Sequence, residues 1–175
     1  MAGLSMFETP VGRLALVHED GILRAAEFHD TPERLAISLR RIGIAACVEA
    51  PIPGWLEAPF RAYFRGETDA VAGLRSEAPG SDFERRVWAE LNAIPSGETR
   101  SYGDIAVALG GATTGEKGLA RAVGVANSRN PLAIVVPCHR VIGADGSLTG
   151  YAGGLHRKQW LLRHEGWRPR QESLF

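Results

Sequence analysis

The 175-residue chain has only two cysteines, Cys47 and Cys138, and only two lysines beside eighteen arginines. The cysteines lie in different halves and show neither CxxC nor metal-ligand spacing. That excludes a disulfide scaffold and a cysteine-rich zinc module, and it fits a reducing, cytoplasmic setting. No stretch approaches the roughly 18 consecutive apolar residues of a membrane span, so no membrane association is expected. Residues 1–10 carry neither a basic segment nor an apolar core, so no secretory signal peptide is expected. There is no internal repeat and no net charge, 20 Lys and Arg balancing 20 Asp and Glu.

The charge balance hides an asymmetry. Residues 1–80 hold 8 basic and 11 acidic side chains, and residues 81–175 hold 12 basic and 9 acidic. Between Lys117 and Arg170 nine basic residues face only Asp145 and Glu165. Such an excess suits a polyanion, or is simply a solvated arginine-rich surface. The apolar fraction of 45% is ordinary for a globular chain and allows one domain or two small ones.

The first part reads as an α/β or α+β unit. Residues 10–17 and 22–28 are strand-like, with Glu19-Asp20-Gly21 as the hairpin turn between them. Thr31-Pro32-Glu33 opens a helix to about Ile42, with Thr31 as its cap. A second helix is expected over Leu56–Arg65 and a short strand over Ala72–Ser76. A boundary falls at Ala78-Pro79-Gly80. Ser81-Asp82-Phe83-Glu84 then reads as a capping box ahead of the periodic run Phe83, Val87, Trp88, Leu91. Ser101 caps a helix running to Leu109, and a glycine-rich turn leads to another helix over about Glu116–Asn127. Two short helices joined through glycine outline a helix-turn-helix, although the turn is long for that motif. The last helix is expected over Leu155–Glu165, ended by Gly166.

Pro137-Cys138-His139-Arg140-Val141 carries the clearest chemistry. It follows Ala133-Ile134-Val135-Val136, which reads as a buried strand fixing the cysteine on a rigid element. A thiolate is the nucleophile, and the neighbouring His139 and Arg140 would lower the thiol pKa. A small buried cysteine with no chemical role is the competing reading. The helix Ala120-Arg121-Ala122-Val123-Gly124 is also unusual: one arginine stands among small residues, which let a helix approach a groove closely or pack tightly in a core.

Taken together, Ser101-Tyr102, Arg121-Ala122-Val123-Gly124, Asn130-Pro131, Pro137-Cys138-His139-Arg140-Val141, Gly150-Tyr151-Ala152-Gly153-Gly154 and Trp160-Leu161-Leu162 with Glu165-Gly166 resemble the O6-alkylguanine-DNA alkyltransferase family, bacterial type. The resemblance is dense over residues 80–167 and loose before them. It implies an α+β fold: a small N-terminal α/β, ribonuclease H-like domain with an antiparallel sheet over residues 1–78, a mostly helical domain with a helix-turn-helix over 79–167, and a loose tail over 168–175. It implies repair of double-stranded DNA by single-use transfer of the alkyl group of O6-alkylguanine to Cys138, from a base flipped out of the stack. O4-alkylthymine is a further candidate substrate. Within that reading His139 takes the thiol proton through a water, Glu165 supports His139, and Tyr102 donates to guanine N3. Arg121 fills the vacated stack, and Ala120, Ala122, Gly124 and Lys117 contact DNA. Asn130 buttresses the active-site turn, Tyr151 and Ala152 form the pocket wall, and the backbone around Cys138 and Val141 reads the base. No cofactor is implied, and the protein is expected to be a monomer.

Two departures from the family pattern stand out. The 110–118 turn is longer than usual and brings Lys117 to the start of the second of the two helices it joins, where the loop would add a phosphate contact or change damage preference. Some relatives hold zinc in the N-terminal domain. Here that half offers only Cys47, His18 and His29, so no metal is expected. The tail motif Gln171, Leu174, Phe175 resembles the pentapeptide that docks bacterial repair proteins on the sliding clamp. A non-catalytic damage sensor is the main alternative, but such proteins usually replace the cysteine. A helix-turn-helix regulator leaves Cys138, His139 and Glu165 without a role. A Cys-His protease leaves Arg121 without one and lacks an evident oxyanion-hole segment.

Overall fold

A computed structural model of the chain describes residues 1–30, 32–111 and 117–169. It is a mixed α+β structure. The N-terminal part is a four-stranded sheet formed by β1 (Ala2–Thr9), β2 (Gly12–Glu19), β3 (Ile22–Phe28) and, after helix α1 (Pro32–Arg41), the short β4 (Cys47–Glu49). The strand order is β3-β2-β1-β4, antiparallel except for the parallel β1–β4 edge. The expected antiparallel sheet therefore gains a parallel strand, because α1 returns the chain in the direction of β1.

Side chains alternate across this sheet as the two-residue strand period requires. On β2, Ala15 and Val17 face a small core with Leu35 and Leu39 of α1. Leu14 and Leu16 face the opposite, larger core. That core continues through Phe60 and Tyr63 of α2 (Gly54–Phe64) into Val87 and Leu91 of α3 (Asp82–Asn92). It then reaches Ile105 of α4 (Tyr102–Ala108), Val123 of α5 (Lys117–Ser128) and Leu161 of α6 (Leu155–His164).

Several boundaries differ from expectation. Pro10-Val11 lie in the tight turn between β1 and β2, where the Thr9 hydroxyl donates to the Gly12 carbonyl, so the strand starts at Gly12. β1 was not evident in the sequence because a buried serine breaks its apolar alternation: Ser5 donates to the Ala50 carbonyl and is hydrogen-bonded to His18. Residues 72–76 form turns with a single bridge, Leu23 to Ser76, rather than a strand. Thr31, Glu116 and the glycine-rich turn from 112 lie outside the described residues.

Two capping boxes set the helices that frame the site. Ser81 accepts from Glu84 N–H and Glu84 returns a bond to Ser81 N–H; Ser101 and Asp104 do the same at α4. The indole N–H of Trp88 donates to the Ala126 carbonyl at 2.9 Å, fixing α5 on α3. A two-residue parallel pair, β5 (Arg100–Ser101) with β6 (Val141–Ile142), brings the start of α4 beside the segment that follows Cys138.

Gly97, before β5, has φ +84°, and a Cβ there would lie 2.9 Å from the Glu165 carbonyl. Gly97→Ala is therefore expected to cost at least the 1–2 kcal/mol of an L-residue in the left-handed region, about, and a urea melt measures it.

Candidate active site

The apolar run ahead of Cys138 is a buried turn, not a strand. Residue Ile134 sits at φ +72°, a region costly for a β-branched side chain. Asn130 closes the turn: its Oδ1 accepts from Leu132 N–H at 3.0 Å and its Nδ2 donates to the Val136 carbonyl at 2.8 Å. The turn docks on the free edge of β3, where Ala26 N–H donates to the Pro131 carbonyl and Ala133 N–H to the Ala26 carbonyl. The cysteine is thus rigidly placed by side-chain and sheet-edge bonds rather than by membership of a strand.

Cys138 opens a short 3₁₀ turn, Cys138–Arg140, with all three residues buried. It faces a cavity lined by Tyr102, Gly124, Asn127, Asn130, Tyr151 and Ala152 from the C-terminal part. Glu27, Phe28 and Arg34 line it from the N-terminal part. Val141 does not line it. Its side chain is in the core, and its carbonyl accepts from Lys158 Nζ.

His139 and Arg140 converge on one buried carboxylate. Glu165 caps the end of α6. Its Oε1 accepts from His139 Nε2 at 2.8 Å, from the Tyr63 hydroxyl at 2.8 Å and from Arg140 Nη2 at 2.9 Å. Its Oε2 accepts from Arg140 Nε at 2.9 Å, and Arg140 Nη1 donates onward to the Ile94 carbonyl at 2.6 Å. Burial works against the carboxylate, but His139 and Arg140 prevail and hold its pKa at about 2. With Nε2 engaged by Glu165, Nδ1 is the ring nitrogen of His139 left to exchange a proton. That Nδ1 is buried and takes no hydrogen bond from the described residues.

The expected activation of Cys138 by its sequence neighbours is corrected by this geometry. Burial pushes the thiol above its ordinary value, and the opposing influences are the Asn130 side chain and the charge of Lys158. Lys158 is fully buried, donates to the Thr149 carbonyl at 2.9 Å and the Gly150 carbonyl at 3.4 Å, and is brought down to about 8 by burial. Sequence reasoning missed it, although one of only two lysines in an arginine-rich chain was a usable signal. Tyr102, the first residue of α4, donates to the Thr149 carbonyl at 3.0 Å, and burial raises its phenol above the ordinary value. Arg121 is exposed on α5 with Lys117, and a Cβ on Gly124 would lie 3.8 Å from the Tyr102 ring. Gln171, Leu174 and Phe175 lie outside the described residues.

A buried cysteine lines a cavity beside a helix that carries an exposed arginine, and comparison with known proteins gives the family. Residues 82–167 match the family model for the 6-O-methylguanine DNA methyltransferase DNA-binding domain. The methylated-DNA–protein-cysteine methyltransferase of Salmonella typhimurium is 46% identical over 164 residues, 91% of this chain and 92% of that one. The structure is similar to that of Mycobacterium tuberculosis OGT in complex with DNA, with TM-score 0.73 and 38% identity over 96% of each chain. It is also similar to the O6-methylguanine-DNA methyltransferase of the archaeon Pyrococcus kodakaraensis, with TM-score 0.70 and 29% identity over 95% of this chain and 99% of that one. The chain belongs to the methylated-DNA–protein-cysteine methyltransferase family.

The depressed Glu165 pKa predicts a specific acid sensitivity. Its stabilisation is complete above the ordinary carboxylate value of 4.5 and is lost as pH falls from there toward about 2. In Glu165→Gln that part of the pH dependence should disappear. The variant should be less stable by about 3–5 kcal/mol at pH 7, because Arg140 is left buried without its partner. Urea melts from pH 3 to 7 on both proteins measure this.

Proposed function

We propose that the protein repairs double-stranded DNA by transferring the alkyl group of O6-alkylguanine, irreversibly and once per molecule, to Cys138. The observation that carries this reading is the facing of Cys138 into the cavity while Glu165 clamps the far side of His139. The helices α4 and α5 serve as a helix-turn-helix, residues 1–78 and 79–167 act as a ribonuclease H-like and a DNA-binding domain, and the protein works as a monomer. Arg121 enters the stack as the damaged nucleotide swings into the cavity, which offsets part of the few kcal/mol that unstacking costs. The small residues Ala120, Ala122 and Gly124 let α5 approach the groove, and Lys117 meets a phosphate.

In the chemical step the Cys138 proton passes through a water to Nδ1 of His139, and Glu165 stabilises the imidazolium that forms. Sγ then attacks the alkyl carbon, the carbon–O6 bond breaks, and its electron pair stays on the guanine. Tyr102 leaves Thr149 to donate to N3 and stabilise the guanine anion. The neutral resting thiol protects a buried nucleophile until the base is in place, and the Lys158 charge assists the transient thiolate. The thioether product has no leaving group suited to reversal. A damage sensor that flips bases without repair is the second reading; the presence of cysteine at 138 weighs against it.

Incubation with a duplex carrying one O6-methylguanine should add one methyl per molecule on the Cys138 peptide, by intact and peptide mass, and Cys138→Ser should abolish it. Preferential binding of the damaged duplex without mass gain would establish the sensor reading instead. Arg121→Ala should slow transfer from duplex far more than from a single strand, since only the duplex requires unstacking.

We further propose that Gln171, Leu174 and Phe175 dock on a bacterial sliding clamp. A peptide of residues 167–175 should bind the isolated clamp in a fluorescence titration, and Leu174→Ala with Phe175→Ala should abolish binding.

A further inference from the structure

Part of the cavity wall is the loop Gly150-Tyr151-Ala152-Gly153-Gly154, whose Tyr151, Ala152 and Gly153 face the cavity beside the end of β3. It has positive-φ glycines at both ends, Gly150, which also lines the cavity, at 56° and Gly154 at 95°. A segment this rich in glycine has many conformations to lose and does not hold a wall still by itself.

Arg157, in the first turn of α6, supplies the restraint. The residue is only 5% exposed. Its Nη1 donates to the Gly153 carbonyl at 2.9 Å, and its Nε donates to the Val11 carbonyl at 2.7 Å, in the turn before β2. Nη2 donates to Asp30 Oδ1 at 2.6 Å, and Nη1 also donates to Asp30 Oδ2. The guanidinium lies 4.6 Å from the centre of the Phe28 ring, itself part of the cavity lining. Two glycines make room: a Cβ on Gly12 would lie 2.7 Å from Arg157 Nη2, and one on Gly153 would lie 2.8 Å from the Tyr151 ring and 3.1 Å from Phe28. One side chain therefore ties the β1–β2 turn, the end of β3 and the cavity loop together. Only a planar guanidinium can address a carboxylate bidentately and two carbonyls at once.

We propose that Arg157, anchored by Asp30, is a positioning residue that locks the 150–154 loop onto the N-terminal sheet and so sets which O6-alkyl groups fit against Cys138. This rests on the alkyl-transfer reading. A small alkyl group needs a wall held in place to orient it for in-line attack. A bulky one fills the space and orients itself.

The test uses the full chain, as wild type, Asp30→Asn, Arg157→Lys and Arg157→Ala. Two readouts are taken: hydrogen exchange of the 150–154 amides, and single-turnover transfer at saturating duplex carrying O6-methylguanine or O6-benzylguanine. Loop exchange should accelerate about tenfold or more in the variants while α3 amides are unchanged. Methyl transfer should fall about tenfold, benzyl transfer much less, and undamaged-duplex affinity should hold. Arg157→Lys should lie between wild type and Arg157→Ala. Loss of thermal stability with loop exchange and the methyl-to-benzyl ratio both within about twofold of wild type would overturn the proposal and leave Arg157 a purely structural residue. If the Arg157 variants do not fold, Asp30→Asn decides, because its side chain is 54% exposed and Arg157 keeps both carbonyl bonds. If wild type transfers nothing to Cys138, the alkyl-transfer reading fails, and the exchange data alone decide whether Arg157 locks the loop.

Discussion

Glu165 is an ionised carboxylate buried between α2, α6 and the turn that carries Cys138, held by Tyr63, His139 and Arg140. A buried charge is costly unless every lone pair is met, and here four donor contacts meet two oxygens. The bonds do more than neutralise that cost. They engage one ring nitrogen of His139, and they turn Arg140 into a strut that reaches the Ile94 carbonyl ahead of β5. Because β5 pairs with β6, the same strut helps register Tyr102 against the cysteine turn.

The site combines two opposite treatments of charge. On one side of the 3₁₀ turn, histidine, arginine and glutamate form a dense ionic network. On the other, Cys138 and Tyr102 are kept neutral by burial, beside a lysine that burial has weakened. Separation of these environments by one peptide unit is possible because a 3₁₀ turn sends consecutive side chains in different directions. A thiol that is not permanently ionised suits a protein that uses its nucleophile once.

The N-terminal sheet is more than a support. Glu27, Phe28 and Arg34 reach the cavity, and Arg157 joins the sheet to the 150–154 loop. None of this follows from periodicity. Glu27 reads as an outward residue of an alternating strand, and Arg34 reads as a solvated helix residue. Lys158 reads likewise in isolation, and only its rarity marks it. The run 133–136 shows the same limit from the other side: its composition favours a strand, but the Asn130 side chain offers its backbone a turn, and that local bond prevails.

The sequence specifies the capped helices α3 and α4 and the β2–β3 hairpin through local signals, capping boxes and turn residues, and its Pro-Cys-His-Arg-Val run singles out Cys138. It also marked Glu165 and Tyr102 through the family resemblance. The packing of the whole fold sets how Cys138 is tuned, since its electrostatic partners, Asn130 and Lys158, lie 8 residues before it and 20 after it. It alone decided that β1 is a central strand and that an arginine on the last helix restrains the cavity wall. Desolvation and long-range hydrogen bonds depend on which surfaces meet, and a linear pattern of residue types does not carry that information.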